Sequence, residues 1–359
     1  MTASQRLEKV LVVTDARGGP TATQNISFSQ PFEGPDSEPY YRISFETERS
    51  EQAIAKAFAW HNPDLLVLSR YTSPTGLDWV AQAREARIPV IFHIDDDLLA
   101  VPASLGESKY KTYNDPERLK ALRQNMEAAD LCYASTEELG RRLKEHGVVT
   151  PVVAGEVYCS VSPDEVGALL PPATGPVIGY MGTGGHGADI AMILPAICET
   201  LERVPSLNLE LFGTIKMPSE LLRFGTRVRH LAAVPDYGEF RTALRSLGWW
   251  IGLAPLEDNP FNRCKADTKW VEYALAGIAV IASELPVYHR ACADGGGVLA
   301  QSTSEWVDSI LRLIHTPGER NSMVAKAQRK LRENYSHLRL RQQVAGIFGE
   351  AATLAAKAN

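Results

Sequence analysis

The chain has 359 residues, 45% of them hydrophobic, and a formal net charge of −6. That length fits two α/β domains of similar size better than one ordinary small domain. The acidic balance excludes a bulk field that attracts nucleic acid, and the lack of a long uninterrupted apolar stretch excludes a membrane span. Five scattered cysteines with no CxxC pair argue against a zinc site and a disulfide framework. The opening MTASQRLEKVLVV lacks the apolar core and cleavage site of a signal peptide, so a cytoplasmic location is expected.

In chain order, Val10 to Thr14 reads as a buried strand running into Asp15, Arg17, Gly18, Gly19 and Pro20. A strand ending in a glycine loop opens a doubly wound domain. The dinucleotide GxGxxG spacing is absent, and Gly18-Gly19 reads equally as a plain turn or as a backbone cradle for phosphate. Strands are expected over Tyr40–Phe45, Asp64–Ser69 and Pro89–Ile94, with helices over Ser50–Trp60 and Gly76–Arg87 between them. Strand–helix–strand repetition means a parallel sheet, whose ligands sit at the carboxyl ends of its strands. That places Gly18, Gly19, Arg70, His93 and Asp95-Asp96-Asp97 on one rim. Three consecutive carboxylates repel one another and need a metal, a cation, sugar hydroxyls or helix N-termini as partners. Asp97 is also a candidate cap for the segment from Leu98.

Val101–Asn114 reads as a mobile polar connection and a candidate lid. A helix over Pro116–Ala129 and a strand over Asp130–Ala134 follow. Ser135-Thr136-Glu137-Glu138 then reads as a capping box with a structural Ser135, opening a helix to His146. Thr150–Ala154 closes the first sheet, and Pro163–Pro176 reads as the interdomain linker. The expected division is 1–165, 166–325 and a C-terminal helical segment 326–359 that packs back on the first domain.

The second domain starts again with a strand, Val177–Met181, a loop of Gly182, Thr183, Gly184, Gly185, His186 and Gly187, and a helix over Asp189–Arg203. Strand, glycine loop and helix together offer backbone donors and a helix N-terminus to a phosphate. His186 reads either as part of that site or as an exposed loop residue. Strands over Leu207–Phe212, Val228–Ala232, Trp249–Ala254 and Val298–Ala300 are expected, with Val234-Pro235-Asp236-Tyr237 leading into a helix. A capped helix runs from Ser302 to His315. The mostly helical tail from Glu319 is basic in its middle, which reads as a solvated face or a contact with an anionic membrane surface.

The stretch Asn259–Ser283 combines a Pro-Phe turn, a polar run with Arg263, Lys265, Asp267 and Lys269, a helix closed by Gly277, and a β-branched strand. Cations placed before a helix face its positive end, so an anion is expected to neutralise them. The other reading is a solvated loop with a Lys–Asp pair.

GYMGTGGHGADI, the strand end IDDD and PFNRCKADTKWVEYALAGIAVIAS together resemble GT-B glycosyltransferases of the group 1 (GT4-like) set. The specific part is Lys265, Lys269, Glu272, Tyr273 and Gly277. The resemblance implies two Rossmann-like domains with a cleft between them and a metal-independent sugar transfer from a nucleotide-diphosphate donor to a glycan, lipid-linked or small-molecule acceptor. It implies that Glu272 holds the donor ribose and that Lys265, with Arg263 and Lys269, neutralises the diphosphate. The amides of Gly182–Gly185 and the Gly18-Gly19 loop would assist, and base contacts would fall near Val234–Tyr237 (Pro235, Tyr237) and Pro255-Leu256. Asp95 would stand beside the donor sugar, with Arg70, Asp96 and Asp97 toward the acceptor. The resemblance also implies retention of anomeric configuration. Cys264 stands where the relatives' first Glu is expected, so that either Asp267 or a backbone N–H contacts the sugar or the sugar lacks the usual hydroxyl pattern, as a deoxy sugar would. A metal-dependent transferase using Asp95–Asp97 and a glycan-binding or inactive transferase-like subunit remain as alternatives. The expected cofactor set is empty, with no metal.

Overall fold

The computed structural model describes residues 7–16, 20–33, 41–167 and 175–358. The first sheet contains β1 (Lys9–Val13), β2 (Arg42–Glu46), β3 (Leu65–Ser69), β4 (Val90–Ile94), β5 (Leu131–Ala134) and β6 (Val152–Ala154). The second contains β7 (Val177–Gly182), β8 (Asn208–Gly213), β9 (Val228–Leu231), β10 (Ile251–Ala254), β11 (Ala279–Ser283) and β12 (Val298–Ala300). Their orders are β2-β1-β3-β4-β5-β6 and β12-β11-β10-β7-β8-β9, with every pair parallel. Helices cover both faces, so β3, β4, β5 and β11 are buried along their whole length and are apolar apart from Ser69, His93 and Ser283.

Each sheet reverses its winding once. In the first sheet β2 lies on one side of β1 and β3 on the other; in the second, β8 and β10 flank β7 in the same way. These are the points where an open α/β sheet leaves a crevice at its carboxyl edge. Two glycines bring large rings against the second sheet. A Cβ on Gly179 would lie 2.0 Å from the Trp249 ring, and one on Gly252 would lie 2.7 Å from Tyr273, so only glycine lets those rings pack flat on the strands.

Most expected elements are present within a residue or two, and Gly277 takes the positive φ of 76° that its place after the helix Thr268–Leu275 requires. Four expectations change. Residues 103–113, expected as a mobile connection, are helical over Ala103–Leu105 and Glu107–Tyr113. Thr136, not Ser135, caps the helix Glu137–Glu145, its hydroxyl accepting from Leu139 N at 3.2 Å. The polar stretch after β1 continues as helix over Ala22–Gln24, Asn25–Ser29 and Gln30–Phe32. Pro286–Cys292, to which no element was assigned, is also helical. The expected linker is described only at its ends, since 168–174 lie outside the described residues.

The final helix, His337–Ala358, lies on the first sheet, with Phe348 against Phe32 and Tyr41 and Gln343 Nε2 donating to Tyr133 OH at 3.0 Å. Position 326 falls inside the preceding helix, Pro317–Asn334, which packs on the second domain. The chain returns to the first domain beside the place where it left: Val161 N donates to Tyr335 O at 2.8 Å and His337 N to Val161 O at 3.0 Å. Among the described residues no helix is long and apolar enough to cross a membrane.

Candidate active site

The crevice of the second sheet is a cavity of about 410 Å³ between the domains, walled by the turn after β7, by Leu256 after β10 and by the helix Thr268–Leu275. That helix aims Lys269 and Glu272 inward, one turn apart on the same face. Glu272 is 9% exposed, and burial pushes its carboxyl up to about 7. Burial also lowers the Lys269 pKa, partly offset by Asp189, and its ammonium rests 5.7 Å from the Tyr180 ring centroid. A carboxyl and an ammonium kept out of water with no full counterpart are costly, and such cost is typical of a site built for a ligand.

His186 lines the same crevice, and its Nδ1 lies 2.7 Å from Asp189 Oδ2. The neighbouring Lys269 charge and burial lower its pKa to about 4. At neutral pH the ring is therefore uncharged, its proton sits on Nδ1 toward the carboxylate, and Nε2 is left as an acceptor. Asp189 also accepts from Glu257 N at 2.8 Å, fastening the glycine turn to the segment after β10. Phe212 and Phe240 stack at 5.4 Å, and Tyr237 continues the stack at 6.0 Å, giving one wall an aromatic surface.

Across the cleft stand Asp95 and Asp96, at the end of β4. Of the three consecutive aspartates, Asp95 and Asp96 share Arg70, while Asp97 turns into the core. Asp95 accepts from Thr23 Oγ1 (2.8 Å) and Tyr158 OH (2.9 Å) and pairs with Arg70. Asp96 lies 3.1 Å from Arg70 and 3.0 Å from Lys265 Nζ, so an ion pair spans the two domains. Burial works against the Asp96 charge, but Lys265 and Arg70 outweigh it and hold the carboxyl below its usual range. Arg70, at φ 52°, turns the chain at the end of β3 so that its guanidinium reaches both carboxylates.

Several expected site residues are placed elsewhere. Asp97 is fully buried, its carboxylate 3.0 Å from His146 Nε2 and 3.4 Å from Arg142 Nε, so it cannot face an acceptor. Arg263 is half exposed and clasps Asp258 at 2.6 Å, on an opening of about 1010 Å³ on the far side of Lys265. Asp267 lines that opening too; burial raises its carboxyl pKa and Tyr335 OH donates to it at 2.5 Å, so it holds structure and does not replace the missing glutamate. Pro235 is exposed outside the crevice that its neighbours Val234 and Tyr237 line. The Gly184 amide is occupied by Thr214 Oγ1 at 3.1 Å, and Gly185 is buried against residues of the first domain; Gly182 and Thr183 line the crevice. Gly18 and Gly19 lie outside the described residues. Cys264 is buried, with its carbonyl accepting from Thr136 Oγ1 at 2.8 Å across the domains.

Sequence reasoning missed Thr23, Tyr158 and Lys109. The first two reach Asp95 from 72 and 63 positions away. Lys109, on the short helix Glu107–Tyr113, lays its ammonium on the glycine turn: a Cβ on Gly185 would meet its Nζ at 2.6 Å. For Thr23 one signal was available, the Thr21-x-x-Gln24 capping pattern, in which Gln24 Oε1 accepts from Thr21 N at 2.8 Å.

No family model and no curated protein matches the chain. Solved structures do. HepE of Anabaena, in complex with UDP and glucose, gives a TM-score of 0.69 at 14% identity, covering 96% of this chain and 100% of that one. Sucrose-phosphate synthase of Thermosynechococcus elongatus gives 0.67 at 14% identity, covering 96% and 98%. A glycosyltransferase of Rickettsia africae gives 0.63 at 12% identity, covering 96% and 99%. At such identities the likeness is one of fold: two parallel six-stranded sheets with flanking helices, in the two-domain Rossmann-like GT-B arrangement.

Proposed function

We propose that the protein is a GT4-like glycosyltransferase that moves a sugar from a nucleoside-diphosphate donor, held by the second domain, to an acceptor held by the first. The observation that carries this reading is the convergence of Glu272, Lys265, Lys269 and the turn after β7 on one crevice at the winding reversal of the second sheet. A carboxylate can accept from both hydroxyls of a ribose. The base fits the aromatic wall of Phe212, Phe240 and Tyr237. The diphosphate lies against Lys265 and the N-terminus of the seventeen-residue helix Gly187–Arg203, whose dipole favours an anion. HepE is crystallised with UDP and with UDP-glucose, which makes UDP the first base to test.

In the reaction the bond between the sugar C1 and the diphosphate oxygen breaks, and its electron pair stays on the phosphate. Lys265 exchanges Asp96 for that oxygen and stabilises the developing charge. The acceptor hydroxyl oxygen forms the new bond to C1, and its proton passes to the departing phosphate oxygen. Attack from the leaving-group face keeps the anomeric configuration. Asp95, held by Thr23, Tyr158 and Arg70, is a fixed anion beside the ring as positive charge grows there. Three hydrogen bonds, two to Oδ2 and one to Oδ1, fix it there, and the role assigned to it is electrostatic and not that of a general base. His186 Nε2 accepts a donor-sugar hydroxyl. Arg70 already bridges Asp95 and Asp96, and Asp97 is turned away toward His146, which favours this over a metal held by Asp95–Asp97.

Thermal denaturation with UDP, GDP, dTDP and ADP, with and without EDTA, tests the reading. One nucleotide at a hundredfold excess over its dissociation constant should add about 2.7 kcal/mol of stability, with the shift surviving EDTA. A shift only with divalent metal would favour the aspartates as ligands. No shift with any nucleotide would overturn the proposal.

A further inference from the structure

The first sheet has its own crevice, at the reversal between β1 and β3, and its lining differs from that of the second. It is a cavity of about 720 Å³, which meets the nucleotide crevice at Ala22 and Thr23. Its volume is within the range of small-molecule sites. Three guanidiniums face it, those of Arg49, Arg70 and Arg118, among threonine and serine hydroxyls. Arg70 is neutralised by Asp95 and Asp96. The other two are not: among the described residues no carboxylate pairs with Arg49 or Arg118.

Both are nonetheless held in place. Arg49 donates to the Asp15 carbonyl oxygen, and its loop is fixed by Trp79 Nε1 donating to Glu48 O at 3.3 Å. Arg118 stacks 4.1 Å from the centroid of Tyr113. It stands in the first turn of the helix Pro116–Ala128, where the helix dipole disfavours a cation and only part of that cost is offset by the Asp115 cap and Glu117. The carboxylate in the crevice, Asp15, is taken up by Thr72 N (2.8 Å) and Thr72 Oγ1 (2.9 Å). Two oriented guanidiniums that lack a counter-ion among the described residues border a polar cavity, which meets at Ala22 and Thr23 the crevice lined by Asp95; they form a receptor for a group that is both anionic and hydroxyl-rich.

We propose that this crevice takes a sugar bearing an anionic group, a phosphate ester or a uronate carboxylate, held by Arg49 and Arg118 with its reacting hydroxyl toward Asp95. As an assignment of the acceptor it rests on the transferase reading above; as a binding site it stands alone. Glucose 6-phosphate, glucuronate and glucose are the probes, titrated by calorimetry into the full chain with and without UDP. Either anionic probe should bind at least tenfold more tightly than glucose. The Arg49→Ala/Arg118→Ala variant should lose that preference at least tenfold while keeping its thermal shift with UDP, which also reports that it is folded. The milder Arg49→Gln variant should lose part of it. Preference for glucose 6-phosphate would identify a phosphate ester and preference for glucuronate a uronate; either supports the site. Equal binding of all three probes, or a preference that survives in the double variant, would overturn it. Arginine-dependent binding without any nucleotide shift would instead overturn the transferase reading and leave the anion site standing.

Discussion

The two crevices occupy equivalent places in equivalent sheets and are built of opposite materials. The crevice of the second sheet is lined by ionisable groups wholly or partly withdrawn from water: a carboxyl raised to about 7, a lysine with lowered pKa, a histidine lowered to about 4 and an aromatic wall. The crevice of the first sheet is open and hydroxylated, and two of its three guanidiniums, those of Arg49 and Arg118, reach solvent. The winding of a parallel sheet therefore decides where a ligand sits, and burial decides how it is selected. A desolvated ion pair discriminates by geometry, because mismatched partners leave a charge unpaired. An exposed guanidinium attracts any anion and is weakened by salt.

Three perturbations would break or sharpen that contrast. The largest concerns Asp97, which shares a strand end with Asp95 and Asp96 but belongs to the core. Asp97→Ala leaves His146 and Arg142 without their buried partner and should cost about 3–5 kcal/mol in urea unfolding, while the folded fraction keeps its nucleotide affinity. A large affinity loss with intact stability would return Asp97 to the site.

Next is Lys265→Ala, which should lower transfer by at least about a hundredfold, the usual loss of a transition-state charge contact. Arg263→Ala, two positions away on an exposed ion pair, should stay within about twofold. Steady-state rates of donor consumption separate the two, and equal effects would mean that the diphosphate lies in the other opening.

The smallest effect is a pH dependence. Glu272 has a folded pKa near 7, above the usual value of 4.5. The native state thus keeps a proton that the unfolded chain has released, and ligand-free stability should fall as pH rises from about 4.5 to about 7 and then level off. Nucleotide affinity should move the other way, rising through pH 7 as the carboxylate forms. Glu272→Gln should flatten both curves, and calorimetric titrations from pH 6 to 8 read the second. A wild-type affinity unchanged over that range would remove Glu272 from the ribose.

How much was legible follows from the range of the interactions. Buried strands announce themselves as β-branched runs, because a parallel sheet covered on both faces needs apolar residues at nearly every position. The helix Thr268–Leu275 and Gly277 could be read for the same local reason. The helical stretch after β1 could not, since TATQNISFSQ is rich in residues of low helix propensity and is held there by tertiary packing. The partners of the three aspartates were illegible as well. Repulsion among them implied that partners exist, but His146, Lys265 and Tyr158 lie 49, 169 and 63 positions away. The sequence placed Lys265 first for the diphosphate and Arg263 beside it, with nothing local to separate their surroundings. Asp258, five positions before Arg263, claims that guanidinium, while Lys265 reaches across the cleft.

The fastening of Val161 to Tyr335 and His337 has a mechanical consequence. Val161, just before one passage between the domains, is hydrogen-bonded directly to Tyr335 and His337 in the other, so any turning of the domains must spare or break this contact. Tyr335 also grips Asp267, the residue just before the helix that carries Lys269 and Glu272. A rotation of the domains about this contact would therefore displace the helix Thr268–Leu275 less than the far wall of the crevice.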